Sequence, residues 1–207
     1  MNTALFYDSE TTGVPLFSQP SEDPRQPHIV QLAAALVDLD TRETISSMDV
    51  IVRPTDWTIP DDVAAIHGIT TEKAMDVGVP EVIALEMFLG LWSGRTRIGH
   101  NETFDARIIR IAQHRFGHPE TNLDSWKSSA AECTARLSTS IVKCPPTAKM
   151  KAAGRFHYKT PTLAEAYQHF FGKPLEHAHS AMADVLGCRD IYFAMKDPVD
   201  AEMPITT

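Results

Sequence analysis

Apolar residues near the N-terminus come in short runs. Ala4-Leu5-Phe6-Tyr7 is uninterrupted and closes on the turn-prone Thr11-Thr12-Gly13, the mark of a buried strand. A proline-rich loop (Pro15, Pro20, Pro24, Pro27) separates it from two more strand-like stretches, Ile29 to Leu39 and Met48 to Val52, joined through Asp40-Thr41-Arg42. These three stretches predict an antiparallel meander. Near Pro60 the spacing turns helical. Asp61 to Ala74 carries helix-start signals, and Val82, Leu85, Phe88, Leu89 and Trp92 recur at amphipathic spacing between Pro80 and Trp92. Thr96 to Gly99 predicts a short strand, followed by a helix capped at Asn101 whose apolar face carries Phe104, Ile108, Ile111 and Ala112. Helices over Leu163 to Phe171 and Ala181 to Met195, the latter starting after Ser180, close the chain, with a long irregular segment after Cys133. A meander followed by alternating strand and helix predicts an α/β fold. The sheet is expected to be mixed and five-stranded, with antiparallel strands first, parallel strands after, and helices on both faces.

Composition adds the setting. The 207 residues, 43% apolar and 22% charged, suit one globular domain over 1–207 with a full core. No stretch is apolar enough to span a bilayer and the N-terminus has no signal-type pattern, so no membrane partner and a cytoplasmic location are expected. Cys133, Cys144 and Cys188 match neither a zinc site nor a redox pair, which predicts free thiols. A net charge of −8 excludes a protein that coats nucleic acid by neutralising many phosphates, though not an enzyme that grips a strand end. Against that balance, Cys133 to Ala164 holds no acid, while Arg136, Lys143, Lys149, Lys151, Arg155 and Lys159 are basic. A basic, irregular insertion at about 137–161 is expected, either a solvated loop or a contact with a nucleic-acid backbone.

Three clusters carry candidate chemistry. Asp8-Ser9-Glu10 lies where the first strand ends, and residues two apart in an extended chain share a face, so both carboxylates can reach one cation. The Gly13 that follows permits close backbone approach to a ligand. Asp105 falls four residues after Asn101, one helical turn along on the same side. His179 precedes a helix that carries Asp184 in its first turn or so; a histidine on the loop there is free to act as a general base near its ordinary pKa. Each cluster alone also suits an ordinary role: surface acids at a turn, an acid complementing a helix dipole, an exposed histidine.

Taken in order, Asp8-Ser9-Glu10-Thr11-Thr12-Gly13, Asn101 to Asp105 and His179 to Asp184 resemble the three motifs of the DEDDh 3′–5′ exonucleases. That family includes the RNase T group and the proofreading epsilon subunits of bacterial DNA polymerase III. Arg53-Pro54 and Ile66-His67-Gly68-Ile69-Thr70 resemble a further block of the family. The likeness implies an RNase H-like fold and hydrolysis of 3′ ends to nucleoside 5′-monophosphates. It implies two divalent cations, Mg²⁺ or Mn²⁺, on Asp8, Glu10, Asp105 and Asp184, with His179 as base. It places Thr11, Thr12, Gly13 and His67 around the terminal nucleotide, with Asn101 and Phe104 supporting or lining the cleft. Single-stranded DNA ends are the favoured substrate. RNA 3′-end trimming, or a weakly active nucleic-acid-binding or polymerase-associated module, are the alternatives. Polymerase association is not indicated, because only a short tail follows the last helix. RNase T-like relatives are often dimeric, so a homodimer is an open expectation.

Overall fold

The computed structural model describes residues 1–197. In chain order its elements are β1 (Thr3–Thr11), β2 (Ile29–Asp38), β3 (Thr44–Arg53), α1 (Asp61–His67), α2 (Thr71–Val77), β4 (Val79–Pro80), α3 (Glu81–Trp92), β5 (Thr96–Gly99), α4 (Glu102–Arg115), α5 (Glu120–Ser128), β6 (Ala131–Cys133), α6 (Thr134–Val142), α7 (Ala148–Ala152), α8 (Leu163–Phe171) and α9 (Ala181–Lys196). The strands order as β4-β3-β2-β1-β5-β6. β1, β2 and β3 pair antiparallel, whereas β5 joins β1, β6 joins β5 and β4 joins β3 in parallel.

The sheet is six-stranded rather than five-stranded. β4 and β6, of two and three residues, are too short to show any alternation along the chain. Asp61 to Ala74 forms two helices, because Gly68 ends α1 in a left-handed conformation (φ 71°). Asn101 stands at the start of α4 but is itself left-handed (φ 66°) and its side chain makes no cap bond; Ser180 makes none before α9 either. The insertion at 137–161 is not wholly irregular: it takes in the end of α6 and all of α7, whose Thr147 cap accepts from the Met150 amide at 3.1 Å. The short tail expected after the last helix falls at 198–207, outside the described residues. No described helix is long and apolar enough to cross a membrane.

Alternation along β1 positions the site. Leu5 and Tyr7 face a core built with Phe88 of α3, Ile108 of α4 and Trp126 of α5. Ala4 and Phe6 face the other way, onto Val185, Cys188 and Tyr192 of α9. The strand does not stop at its apolar run: β2 continues to pair it, with Asp8 opposite Ala33 and Glu10 opposite Gln31, before the register shifts between Glu10 and Thr11. Asp8 and Glu10 therefore extend the α9 face of the sheet, and Ser9 the α4 face. The three cysteines are buried and free.

Candidate active site

Each element end delivers one part of the site. Asp105, buried on the first turn of α4, is held by Ser9, whose amide and hydroxyl both donate to its Oδ1, at 3.0 and 2.7 Å. The start of α9 is tied to the sheet by the Ala181 amide, which donates to Gln31 Oε1 at 3.2 Å. Glu10, His179 and Asp184 each offer a ligand atom, and all three atoms lie within 4.8 Å of one another. His179 is exposed and stands on the loop before α9, with positive φ (67°), as does His177 (56°). Two non-glycine residues in that region within three positions mark a loop whose shape the surroundings impose. Gly187 on α9 contributes to that shape: a Cβ there would lie 3.0 Å from Leu175 Cδ1, so the glycine leaves space for Leu175 to pack the loop onto the helix.

The electrostatics are those of crowded acids. Burial, then repulsion from Asp105, Asp184 and Glu10, holds Asp8 well above the usual carboxylate range. Burial and the neighbouring Asp184 push Glu10 up to about 7. Burial raises Asp105 to about 7 against the two Ser9 bonds, which pull it down. Burial raises Asp184 to about 6, against the opposing influence of His179, and its Oδ1 is buried without a hydrogen-bond partner. No arginine or lysine forms a salt bridge with any of the four among the described residues. Unpaired buried carboxylates are costly. A hard divalent cation relieves that cost with the oxygen donors it prefers, and the orphaned Asp184 oxygen fits one.

The remaining expected residues divide. His67, half-buried at the end of α1, accepts from the Ile69 amide at its Nδ1 (3.1 Å), and its Nε2 is buried and unpartnered. Burial and then the nearby His179 hold its pKa low, which brings α1 alongside the site. The Thr11 hydroxyl donates to the Gly13 carbonyl (2.8 Å) and the Thr12 hydroxyl accepts from the His28 amide (3.0 Å). Both hydroxyls are thus engaged in shaping the turn beyond Glu10. A Cβ at Gly13 would meet open space. Phe104 packs, half-buried, against the main core, and Asn101 is exposed.

Sequence reasoning missed the residues that support these. Ser9 sits inside the first motif, yet nothing in the chain marks it as the partner of an acid ninety-six positions away. Gln31 reads as one polar residue in an apolar strand, a signal that was there to be used. A cavity of about 600 Å³ is lined by residues that include His28, Arg53, Trp57 and Arg115, and by none of the four clustered acids.

A mixed sheet with converging carboxylates at its end, a histidine on the adjoining loop and helices on both faces defines an RNase H-like α/β protein with an acidic site. The family model described as Exonuclease (RNase_T) matches residues 5–192, and the chain belongs to that family. No curated protein matches closely enough to count as a relative. Among solved structures the chain is similar to E. coli exonuclease I in complex with a dT13 oligonucleotide, at 20% identity and a TM-score of 0.70, over 95% of this chain and 41% of that one. It is similar at 18% identity and TM-score 0.70 to the zinc-ion-bound exonuclease I–ssDNA complex, over 95% of this chain and 40% of that one. The exonuclease I/SSB-Ct complex matches at 18% identity and TM-score 0.70, over 95% and 41%. The chain thus spans about 41% of the length of the exonuclease I chains it resembles.

Proposed function

We propose that the chain is a 3′–5′ exonuclease that hydrolyses the terminal phosphodiester of single-stranded DNA and releases nucleoside 5′-monophosphates. One observation carries the reading: four carboxylates gather at the sheet end, salt-bridged to no arginine or lysine among the described residues, beside a loop histidine, in a chain of the exonuclease family. Asp8, Glu10, Asp105 and Asp184 would hold two divalent cations, Mg²⁺ or Mn²⁺. When bound, these supply Lewis-acid stabilisation of the charge that develops on the phosphate oxygens.

The chain's own residues do the rest. An imidazole nitrogen of His179 accepts the proton of the attacking water. The water oxygen bonds to phosphorus, the bond to the 3′-oxygen of the penultimate nucleotide breaks, and that oxygen takes up a proton. Ser9 keeps Asp105 oriented, and Gln31 fixes the helix start from which Asp184 projects. His67, near His179 and with one ring nitrogen free of partners, would contact the terminal nucleotide. Exposure leaves His179 free to adjust to its substrate, as a base on a loop must.

Digestion of 5′-labelled single-stranded DNA and matching RNA with Mg²⁺ or Mn²⁺, beside EDTA and Asp184→Ala controls, tests this. The expected result is a ladder shortening from the 3′ end, faster on DNA and absent in both controls. No cation-dependent shortening of either polymer would sink the proposal, and faster RNA cleavage would reassign the substrate.

A further inference from the structure

The acid-free run between Cys133 and Ala164 folds into an arm with fixed roots. At its base the Lys159 amide donates to the buried Cys144 carbonyl at 3.0 Å, and Lys159 Nζ pairs with Glu165. At its end His100 Nε2 donates to the carbonyl of buried Pro161 at 3.1 Å, while His100 Nδ1 meets the Thr134 hydroxyl at 3.0 Å. Burial lowers the His100 pKa, and the Pro161 carbonyl, which can only accept, makes Nε2 the donor. His100 lies five residues before Asp105. The arm is thereby moored to the β5–α4 turn that delivers one of the site's carboxylates.

Beyond the roots, what the arm presents is basic and aromatic. Lys143, Lys149, Lys151 and Arg155 are exposed, and none has an ion-pair partner among the described residues. Phe156 is 73% exposed and Tyr158 47%. Two large rings held in water within three positions gain nothing for the fold, and unpaired cations concentrate here in a protein of net charge −8. Cations that track phosphates, interleaved with rings on which bases stack, are the recognition chemistry of single-stranded nucleic acid.

We propose that residues 143–158 form a binding arm for the single strand upstream of the scissile bond, with Phe156 and Tyr158 stacking on bases and Lys149, Lys151 and Arg155 contacting phosphates. The assignment rests on the exonuclease reading above and adds to it a dependence on strand length: a dinucleotide fills the acidic site alone, and a long strand also engages the arm.

The test has two readouts. Binding of fluorescein-labelled dT16 is followed by anisotropy in an Asp184→Asn background with Mg²⁺. Hydrolysis of dT2 and dT16 is followed in the otherwise unaltered chain. Phe156→Ala with Tyr158→Ala should weaken dT16 binding roughly 25- to 100-fold, at about five- to tenfold per ring, with dT2 turnover unchanged; Phe156→Trp should keep the affinity. Lys149→Gln, Lys151→Gln and Arg155→Gln together should lower the slope of log affinity against log salt by about 2. Equal dT16 affinity across these variants, or dT2 and dT16 turnover falling alike, would overturn the proposal. A chain that cleaves neither oligonucleotide yet binds dT16 through the arm would leave the arm standing and remove the nuclease.

Discussion

On the α3/α4 side of the sheet, buried acids come with partners. Glu102 Oε1 accepts from Arg97 Nε at 2.6 Å and from the Tyr7 hydroxyl at 2.9 Å, and the same guanidinium lies 4.3 Å over the Trp126 ring. Glu81 is shared between Arg115 at 3.0 Å, His28 Nδ1 at 2.8 Å and the Ile29 amide at 3.1 Å. At the end of β1, between the starts of α4 and α9, four acids gather, and none is salt-bridged to an arginine or lysine among the described residues. The fold therefore has the means to neutralise a buried carboxylate and withholds them at one place. That state suits the external cation proposed above, and its cost in stability is met by the packing around it.

The largest effect should come from removing one member of the unpaired set. Asp184→Asn is expected to cut strand hydrolysis about 10⁴-fold, close to 5.5 kcal/mol of barrier, while leaving the metal-free melting temperature unchanged or higher, because a repelling charge is gone. A clear fall in that melting temperature would mean the quartet is structural after all. The paired set should behave in reverse. Arg97→Met leaves Glu102 buried without its cation and should cost roughly 3–5 kcal/mol of stability, measured by denaturant unfolding. A loss under about 1 kcal/mol would break the contrast.

The sequence made the two sets unequally legible. The acids and histidine of the unpaired set were named from motif order alone, since Asp8, Glu10, Asp105, His179 and Asp184 fall in short local patterns. The strands and the long helices were legible too, because Ala4-Leu5-Phe6-Tyr7 is an unbroken apolar run between turn signals and Val82, Leu85, Phe88, Leu89 and Trp92 recur at helical spacing. What escaped was long-range pairing. Ser9 with Asp105, Gln31 with Ala181 and Arg97 with Glu102 and Trp126 leave no periodic trace. β4 and β6 escaped for a related reason: two or three residues become a strand only because β3 and β5 are beside them.

Proton and cation should compete for the unpaired set. Glu10 and Asp105, raised to about 7 from ordinary values of 4.5 and 3.8, and Asp184, raised to about 6, hold protons in the folded chain that the unfolded chain has released. Stability from those protons is present below about pH 4 and lost as pH rises through 6 to 7. In EDTA the melting temperature should therefore fall between pH 5 and pH 8. Saturating Mg²⁺ or Mn²⁺ should restore it at pH 8, by about 2.7 kcal/mol at a hundredfold excess over Kd, and do little at pH 5. Equal cation effects at both pH values would detach the raised carboxylates from the cation site.

The smallest effect sharpens the comparison most, because Ser9 is a neutral group that treats a site acid much as the arginines treat Glu81 and Glu102. Its amide and hydroxyl both donate to Asp105 Oδ1, and hydrogen bonds to the charged form pull a carboxyl pKa down. Ser9→Ala removes the shorter bond and spares the backbone one. Asp105 should then titrate above its present value of about 7, and protons should displace the cation more readily. The cation concentration for half-maximal thermal stabilisation should rise about tenfold at pH 6.5 and much less at pH 8.5, where the carboxylate is ionised in either chain. A purely structural loss would lower the melting temperature equally at both pH values and leave the half-saturating concentration where it was. That outcome would place Ser9 with the residues that hold the fold, and Asp105 with the acids the protein has already paired.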